Sequence, residues 1–278
     1  MKNTIKTIVR FLVLILGMYL FYVMLSLMGF TKTVAFCISY GIFAGVLFFY
    51  VAHFVSINKQ FQRLVARYDQ DGNNEQYLSE LSGLRKKTKI RVLRDMIDLN
   101  RSGACLRDAR YQEAFDILNA VKIKKMNENA KVVYYVNLIT YYRSIEDEDK
   151  AQAVFYEQDE LFQRFRSDPN LGVYFELLEC DSYVSSGKVK QAREHIEKAH
   201  QFAKNPRTEE GFLLCDIRCD LLERNFDRAG KLIEEVLSRE HINRDTRIKL
   251  EDLQKQLEIG RKIQEKEQEI ALSKKKKG

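Results

Sequence analysis

The sequence predicts an all-α protein: an N-terminal two-helix transmembrane hairpin followed by an α-solenoid of helix pairs. Three observations lead there. The 278 residues contain two prolines, Pro169 and Pro206, and no tryptophan, with alternating charge and Leu/Ile/Ala throughout, so few residues break helices. Two long uncharged apolar runs stand at the N-terminus. An alanine-centred pattern then recurs at a spacing of 37 to 41 residues, the mark of a repeat architecture.

The first apolar run, FLVLILGMYLFYVMLSLMGF at residues 11–30, holds 20 residues without a charge. About 20 apolar residues span a hydrocarbon core. Residues 33–57 follow with no Lys, Arg, Asp or Glu, and a second span is assigned to about 33–55. A signal peptide has a shorter apolar run and a cleavage site, so residues 1–57 read as a retained hairpin. Lys2, Lys6 and Arg10 precede the first span, Lys59, Arg63 and Arg67 follow the second, and the link carries only Lys32. The positive-inside rule then places both termini and the body in the cytoplasm, a multi-pass arrangement in a cell (inner) membrane of bacterial type. Cys37, Gly41 and Gly45 form a small-residue stripe suited to packing the hairpin or to a homo-oligomer. His53 lies near the cytosolic end with no acidic partner in either span, which makes it an interfacial residue.

After the second span, Phe54, Ile57, Phe61, Leu64 and Tyr68 continue at steps of three and four, one face of a helix. The expectation is that the second span runs on into the first helix of the body. Four segments then share a form: RYQEAFDILNAV (110–121), DEDKAQAVFYEQ (147–158), GKVKQAREHIEKA (187–199) and RNFDRAGKLIEEV (224–236). Their alanines are Ala114, Ala151, Ala192 and Ala229; four residues later come Leu118, Phe155, Ile196 and Ile233. An alanine lets two helices approach closely, and the apolar residue one turn on fills the groove between them. Each pair leaves a face that only the next pair covers, so the pairs stack. Stepping back 37 residues from Ala114 reaches Tyr77, in a degenerate unit with Tyr68, Gly72, Leu81 and Leu84 at repeat positions.

This pattern resembles the tetratricopeptide-repeat (TPR) family, on Tyr183, Gly187, Ala192, Ile196 and Ala199 above all. The likeness covers roughly residues 55–240. It departs in the missing first-helix tryptophan and in the residues facing the alanines, which are Ser102, Ile139, Cys180 and Ile217. The resemblance implies a TPR-like domain over residues 58–242, with first helices lining a concave groove. Carried over by register, that groove includes Met96, Leu99, Asn100, Arg107, Val136, Asn137, Arg143, Tyr174, Leu177, Leu178, Leu214, Arg218 and Leu221. An apolar surface with three arginines suits an amphipathic helix or an acidic peptide. The family's carboxylate clamp is not matched: Leu99, Gly103, Tyr174 and Leu178 stand at four of its positions, leaving only Asn137. Residues 243–273 read as a charged capping helix with Ile248, Leu253, Leu257 and Ile263, and 274–278 as a basic tail that touches lipid or stays solvated.

Function classes narrow accordingly. Of the formal charge of +7, residues 1–60 contribute +5 and lysines 274–277 contribute +4, leaving 61–273 at −2. A nucleic-acid-binding domain carries its basic patch on the fold itself, so nucleic acid is not an expected partner. The five cysteines, Cys37, Cys105, Cys180, Cys215 and Cys219, are odd in number and suggest no disulfide framework. Cys215 and Cys219 share a helix face, within reach of a metal with Cys180, but buried thiols are the plainer reading. Among the four histidines, His195 and His200 diverge around a helix, and no HExxH, P-loop, GxGxxG or GxSxG occurs. No enzyme activity, cofactor or metal is expected. The expected role is a membrane-anchored protein–protein interaction scaffold or adaptor. The alternative is a regulatory or assembly subunit of a membrane enzyme or transporter, acting through its spans.

Overall fold

The computed structural model describes the backbone of residues 2–199, 202 and 206–275, and the side chains of 15–199, 202 and 208–273. The start of the first predicted span, His200 and the 274–277 lysine side chains lie outside these limits. Among the described residues the chain is helical without strands. It forms two compact units, Met1–Lys59 and Gln60–Gly278.

In the first unit, helix α1 covers Lys2–Leu27 and α2 begins at Lys32. The link turns through Gly29 at φ 91°, where a side chain is strained. Helix α2 is one helix over Lys32–Asp71, and it is long and apolar enough to cross a membrane. Of the two predicted spans the second is therefore met by length and composition; the first is described only as the apolar stretch Ile15–Leu27. Among its described residues few are buried: Leu25 on α1, and Ala35, Ser39 and Ile57 on α2. Phe48, Phe49 and their neighbours are exposed apolar surface, as lipid-facing side chains are.

The second unit contains the end of α2 and helices α3 (Asn74–Lys87), α4 (Arg91–Arg107), α5 (Tyr111–Ala120), α6 (Glu128–Ser144), α7 (Glu148–Glu157), α8 (Asp159–Phe165), α9 (Gly172–Ser185), α10 (Val189–Ala199), α11 (Pro206–Leu222), α12 (Phe226–Leu237) and α13 (Arg244–Lys275). The same three-residue link joins α4 to α5, α6 to α7, α9 to α10 and α11 to α12. Its middle residue has positive φ: Ala109, Glu146, Gly187 and Arg224. In each, the next N–H returns to the carbonyl five residues back: Arg110 to Cys105 (2.8 Å), Asp147 to Tyr142 (2.9 Å), Lys188 to Tyr183 (2.8 Å) and Asn225 to Asp220 (2.7 Å). This Schellman closure satisfies the carbonyls left open at a helix end and reverses the chain. Gly72, with φ 68°, turns α2 into α3 at the same register. Side-chain caps add to it: Asn73, Asn127 and Asp147 accept from the backbone N–H groups of Gln76, Ala130 and Lys150.

Five residues after each left-handed residue sits a repeat alanine, and Ala114, Ala151, Ala192 and Ala229 are all fully buried. The residues expected to face them, Ser102, Ile139, Cys180 and Ile217, are fully buried too. Cys180 Sγ reaches the Ala192 carbonyl at 3.5 Å, which places one such pair in direct contact. In the degenerate unit Tyr77 takes the alanine's place and stacks on Tyr68, with centroids 4.5 Å apart. First helices also pack on the next at three steps: α4 on α6, α9 on α11 and α11 on α13. Gly211 lets α11 approach Leu177 of α9, and Gly260 lets α13 approach Phe226; an added Cβ would lie 2.6 and 2.5 Å from those side chains.

The 41-residue step between Ala151 and Ala192 has a physical cause. It holds a short extra helix, α8, which no sequence signal singled out. Its Leu161 and Phe162 fill the space among α6, α7 and α9, and the Phe162 ring lies 5.5 Å from Phe155 and 5.0 Å from Phe175.

Candidate functional site

The predicted groove residues cluster on the first helices, and most of them turn out to join one helix to the next. Leu99, Val136 and Leu178 are buried between helices. Asn137 on α6 donates to the Leu99 carbonyl and to Ser102 Oγ on α4, each at 2.9 Å. Asn100 accepts from the Tyr77 hydroxyl at 2.9 Å. Arg107 lies over the Tyr68 ring at 5.0 Å and donates to Asn74, whose amide in turn donates to the Ala104 carbonyl.

The other two arginines are engaged likewise. Arg143 on α6 donates to the Leu178 carbonyl at 2.9 Å and pairs with Asp181 at 3.2 Å and Glu148 at 3.4 Å. Arg218 on α11 pairs with the same Asp181 and donates to Ser185 at 2.9 Å. Asp181 thus sits between two arginines one repeat either side of it. At the end of the row, Asn243 and Thr246 both donate to buried Glu210 at 2.7 Å. Most of these hydrogen bonds join residues 30 to 38 apart in sequence and form a polar ladder between neighbouring helices. The residues assigned to the groove lie on α4, α6, α9 and α11. The sequence could not show that their charges are used internally. Met96, Tyr174, Leu177, Leu214 and Leu221 remain partly exposed beside the ladder.

A second ladder ties α10 to α11 and α12. Arg193 pairs with Asp216, with Asp220 at 2.6 Å and with Glu223 at 2.8 Å, while Arg228 reaches Asp216 and Asp220, both at 2.7 Å. Asp220 is fully buried, so both guanidinium groups are needed to offset its lost hydration.

One cluster was not visible in the sequence. Glu176 and Glu179, three apart on α9, meet His195 from α10, with His195 Nδ1 at 2.6 Å from Glu176 Oε2 and 3.6 Å from Glu179 Oε2. The ring stacks on Tyr183. The three ligand atoms lie within 4.8 Å of one another, a donor set of the kind that binds divalent metals. Arg166, however, already forks onto Glu179 and lies 3.8 Å from Glu176. The carboxylates therefore have a cation, and the arrangement reads as a buried ion-pair joint between α9, α10 and the segment before α9. The i, i+3 glutamates were the only sequence signal; their partner lay 16 to 19 residues away on another helix.

The thiols are equally enclosed. Cys180, Cys215 and Cys219 belong to one buried cluster with Val184 and Ala192. Contact with Cys180 and burial push the Cys215 thiol well above its ordinary value, and burial raises Cys219 and Cys105 to about 11. Such thiols stay protonated and are poor nucleophiles and poor ligands. In the first unit, Cys37 is exposed, and a Cβ added at Gly41 or Gly45 meets nothing within 4 Å. That stripe is open in the single chain, while Ala35 and Ser39 are the buried positions. A surface hollow of about 290 Å³ is lined by Lys124, Glu128, Lys131, Tyr135, Glu157 and Arg164 among others. It mixes both signs of charge, and Arg164 and Glu128 pair with each other at 2.9 Å. Comparison with protein-family models, with curated proteins and with solved structures returned no match to this chain.

Proposed function

We propose that this protein is a membrane-anchored interaction scaffold: a two-span anchor carrying a TPR-like solenoid on the cytoplasmic side, where it recruits a protein partner. The observation that carries this reading is the recurrence of one left-handed turn at residues 72, 109, 146, 187 and 224, each followed five residues later by a buried repeat position. Repeating helix pairs beside an apolar helix of membrane length serve as an extended surface held at a bilayer. Since Arg107, Arg143 and Arg218 already have partners, the groove's free binding capacity is apolar. It suits the apolar face of an amphipathic helix better than a run of acidic residues.

A second reading, a regulatory or assembly subunit acting through its spans, is favoured by one observation: the open side of α2 at Gly41 and Gly45. One experiment separates the two. In-cell crosslinking and mass spectrometry would compare wild type with Met96→Asp/Leu221→Asp and with Gly41→Leu/Gly45→Leu, each variant checked for an unchanged melting curve. A soluble partner lost only in the groove variant supports the scaffold. A membrane partner lost only in the glycine variant transfers the function to the bilayer.

A further inference from the structure

Helix α13 has two faces of different character. One face, with Leu250, Leu253 and Leu257, is buried against α11 and α12. Roughly 145° further round the helix, at 100° per residue, runs a second stripe that the fold does not cover. It carries Ile248, Ile259, Ile263 and Ile270, which are 47%, 59%, 49% and 54% exposed. Single exposed apolar residues are ordinary, but four on one line of a largely charged and polar helix are not scattered. Upstream, each first helix is covered by a second helix of its own pair.

The order of residues in the stripe indicates what covers it. Counting outward from Ile259, the positions four away are Lys255 and Ile263, those seven away are Asp252 and Lys266, and those eleven away are Ile248 and Ile270. Steps of four, seven and eleven keep to one helix face. A second α13 laid antiparallel about Ile259 therefore sets Ile259 on itself, Ile248 on Ile270 and Asp252 on Lys266. Lys255 lies against Ile263, where its aliphatic stem can cover the isoleucine. Every position finds an apolar or opposite-charge counterpart along about 33 Å of helix. Parallel pairing would set Asp252 on Asp252 and Lys266 on Lys266, and like charges in contact disfavour it. A bilayer surface fits less well, because Asp252 would lie in the face that must enter lipid.

We propose that α13 is an isologous interface through which two copies of this chain associate, antiparallel about Ile259. The test uses the full chain in membranes, in a Cys37→Ser background so that the remaining native thiols are the buried ones. Under mild oxidation, Ile259→Cys should give a disulfide-linked dimer and Glu258→Cys, one residue off the stripe, should not. In cells making both, Ile248→Cys should link to Ile270→Cys, while neither variant alone links to itself. Asp252→Lys should weaken the Ile259→Cys crosslink several-fold, and adding Lys266→Asp should restore it. Equal crosslinking at 258 and 259 overturns the proposal. So does self-linkage at 248 and 270, or a charge reversal that is not rescued.

Discussion

Glu146 and Arg224 hold the backbone at φ 61° and 62°, where Gly187 sits in the equivalent turn at 70°. A left-handed L-residue costs about 1–2 kcal/mol, and glycine gives back about 0.5–1 kcal/mol of that through unfolded-state entropy. Glu146→Gly should therefore stabilise the second unit by about 0.5 kcal/mol, and Gly187→Ala should destabilise it by about 1 kcal/mol. Urea midpoints of the two variants check this; a loss of stability in Glu146→Gly would mean that the turn geometry is not as described. The turns at residues 72 and 187 were legible because glycine marks them. Those at 109, 146 and 224 were not, because alanine, glutamate and arginine carry no turn signal and are held left-handed by the packing of the helices they join. The cysteines allow a second test at this scale. A thiol raised to about 11 is ionised to only about one part in a thousand or less at pH 8. Cys105, Cys180, Cys215 and Cys219 should resist a maleimide in the folded protein and react together on unfolding, while Cys37 reacts with a membrane-permeant reagent throughout.

At the level of elements, α8 and the α10–α12 ladder matter most. Phe162 is almost fully buried among Phe155 and Phe175, so Phe162→Ala should cost about 3–5 kcal/mol. Because it sits mid-row, hydrogen exchange should rise first in α7, α8 and α9. Arg193→Met should cost about 2 kcal/mol, since Asp220 then keeps only Arg228 as its cation. Arg239→Ala, at an exposed pair with Glu209, should change stability by less than about 1 kcal/mol and serves as the control. The helix pairs could be read from apolar periodicity and the alanine spacing. Helix α8 could not: seven residues are too few for a periodic signal. The His195 cluster was hidden for a similar reason, since periodicity tells which face of a helix is inward but not which neighbour meets it.

At the scale of the second unit, the first turn of α13 does more than cap α11 and α12. Helix α13 also touches α4, and its Asp245 accepts a hydrogen bond from the Tyr111 hydroxyl at 2.7 Å, across 134 residues of sequence. Burial, with the Asp245 contact, raises the Tyr111 phenol above its ordinary value, so it remains a donor at neutral pH. Helical units fray first at their ends, where fewest contacts hold a helix. A contact between the last helix and an early pair opposes that fraying. Tyr111→Phe should cost about 1 kcal/mol and raise hydrogen exchange both at the start of α5 and at the start of α13. Faster exchange confined to α5 would show that the contact does not couple the two.

The sequence by itself determined that the chain is helical, that one long helix is apolar enough for a membrane, and which residues stand inside each helix pair. These follow from composition, periodicity and recurrence, which are local and repeat with every unit. Ala114, Ala151, Ala192 and Ala229 could be placed in the interior for that reason, and all four are buried. Tertiary structure alone decided how the polar residues of the first helices are used. Arg107, Arg143 and Arg218 looked available for an acidic ligand, but Tyr68, Asp181 and the backbone carbonyls of neighbouring helices engage them first. A charge's partner depends on which surfaces meet across 30 or more residues, and so does the return of α13 to Tyr111; no short-range pattern encodes either.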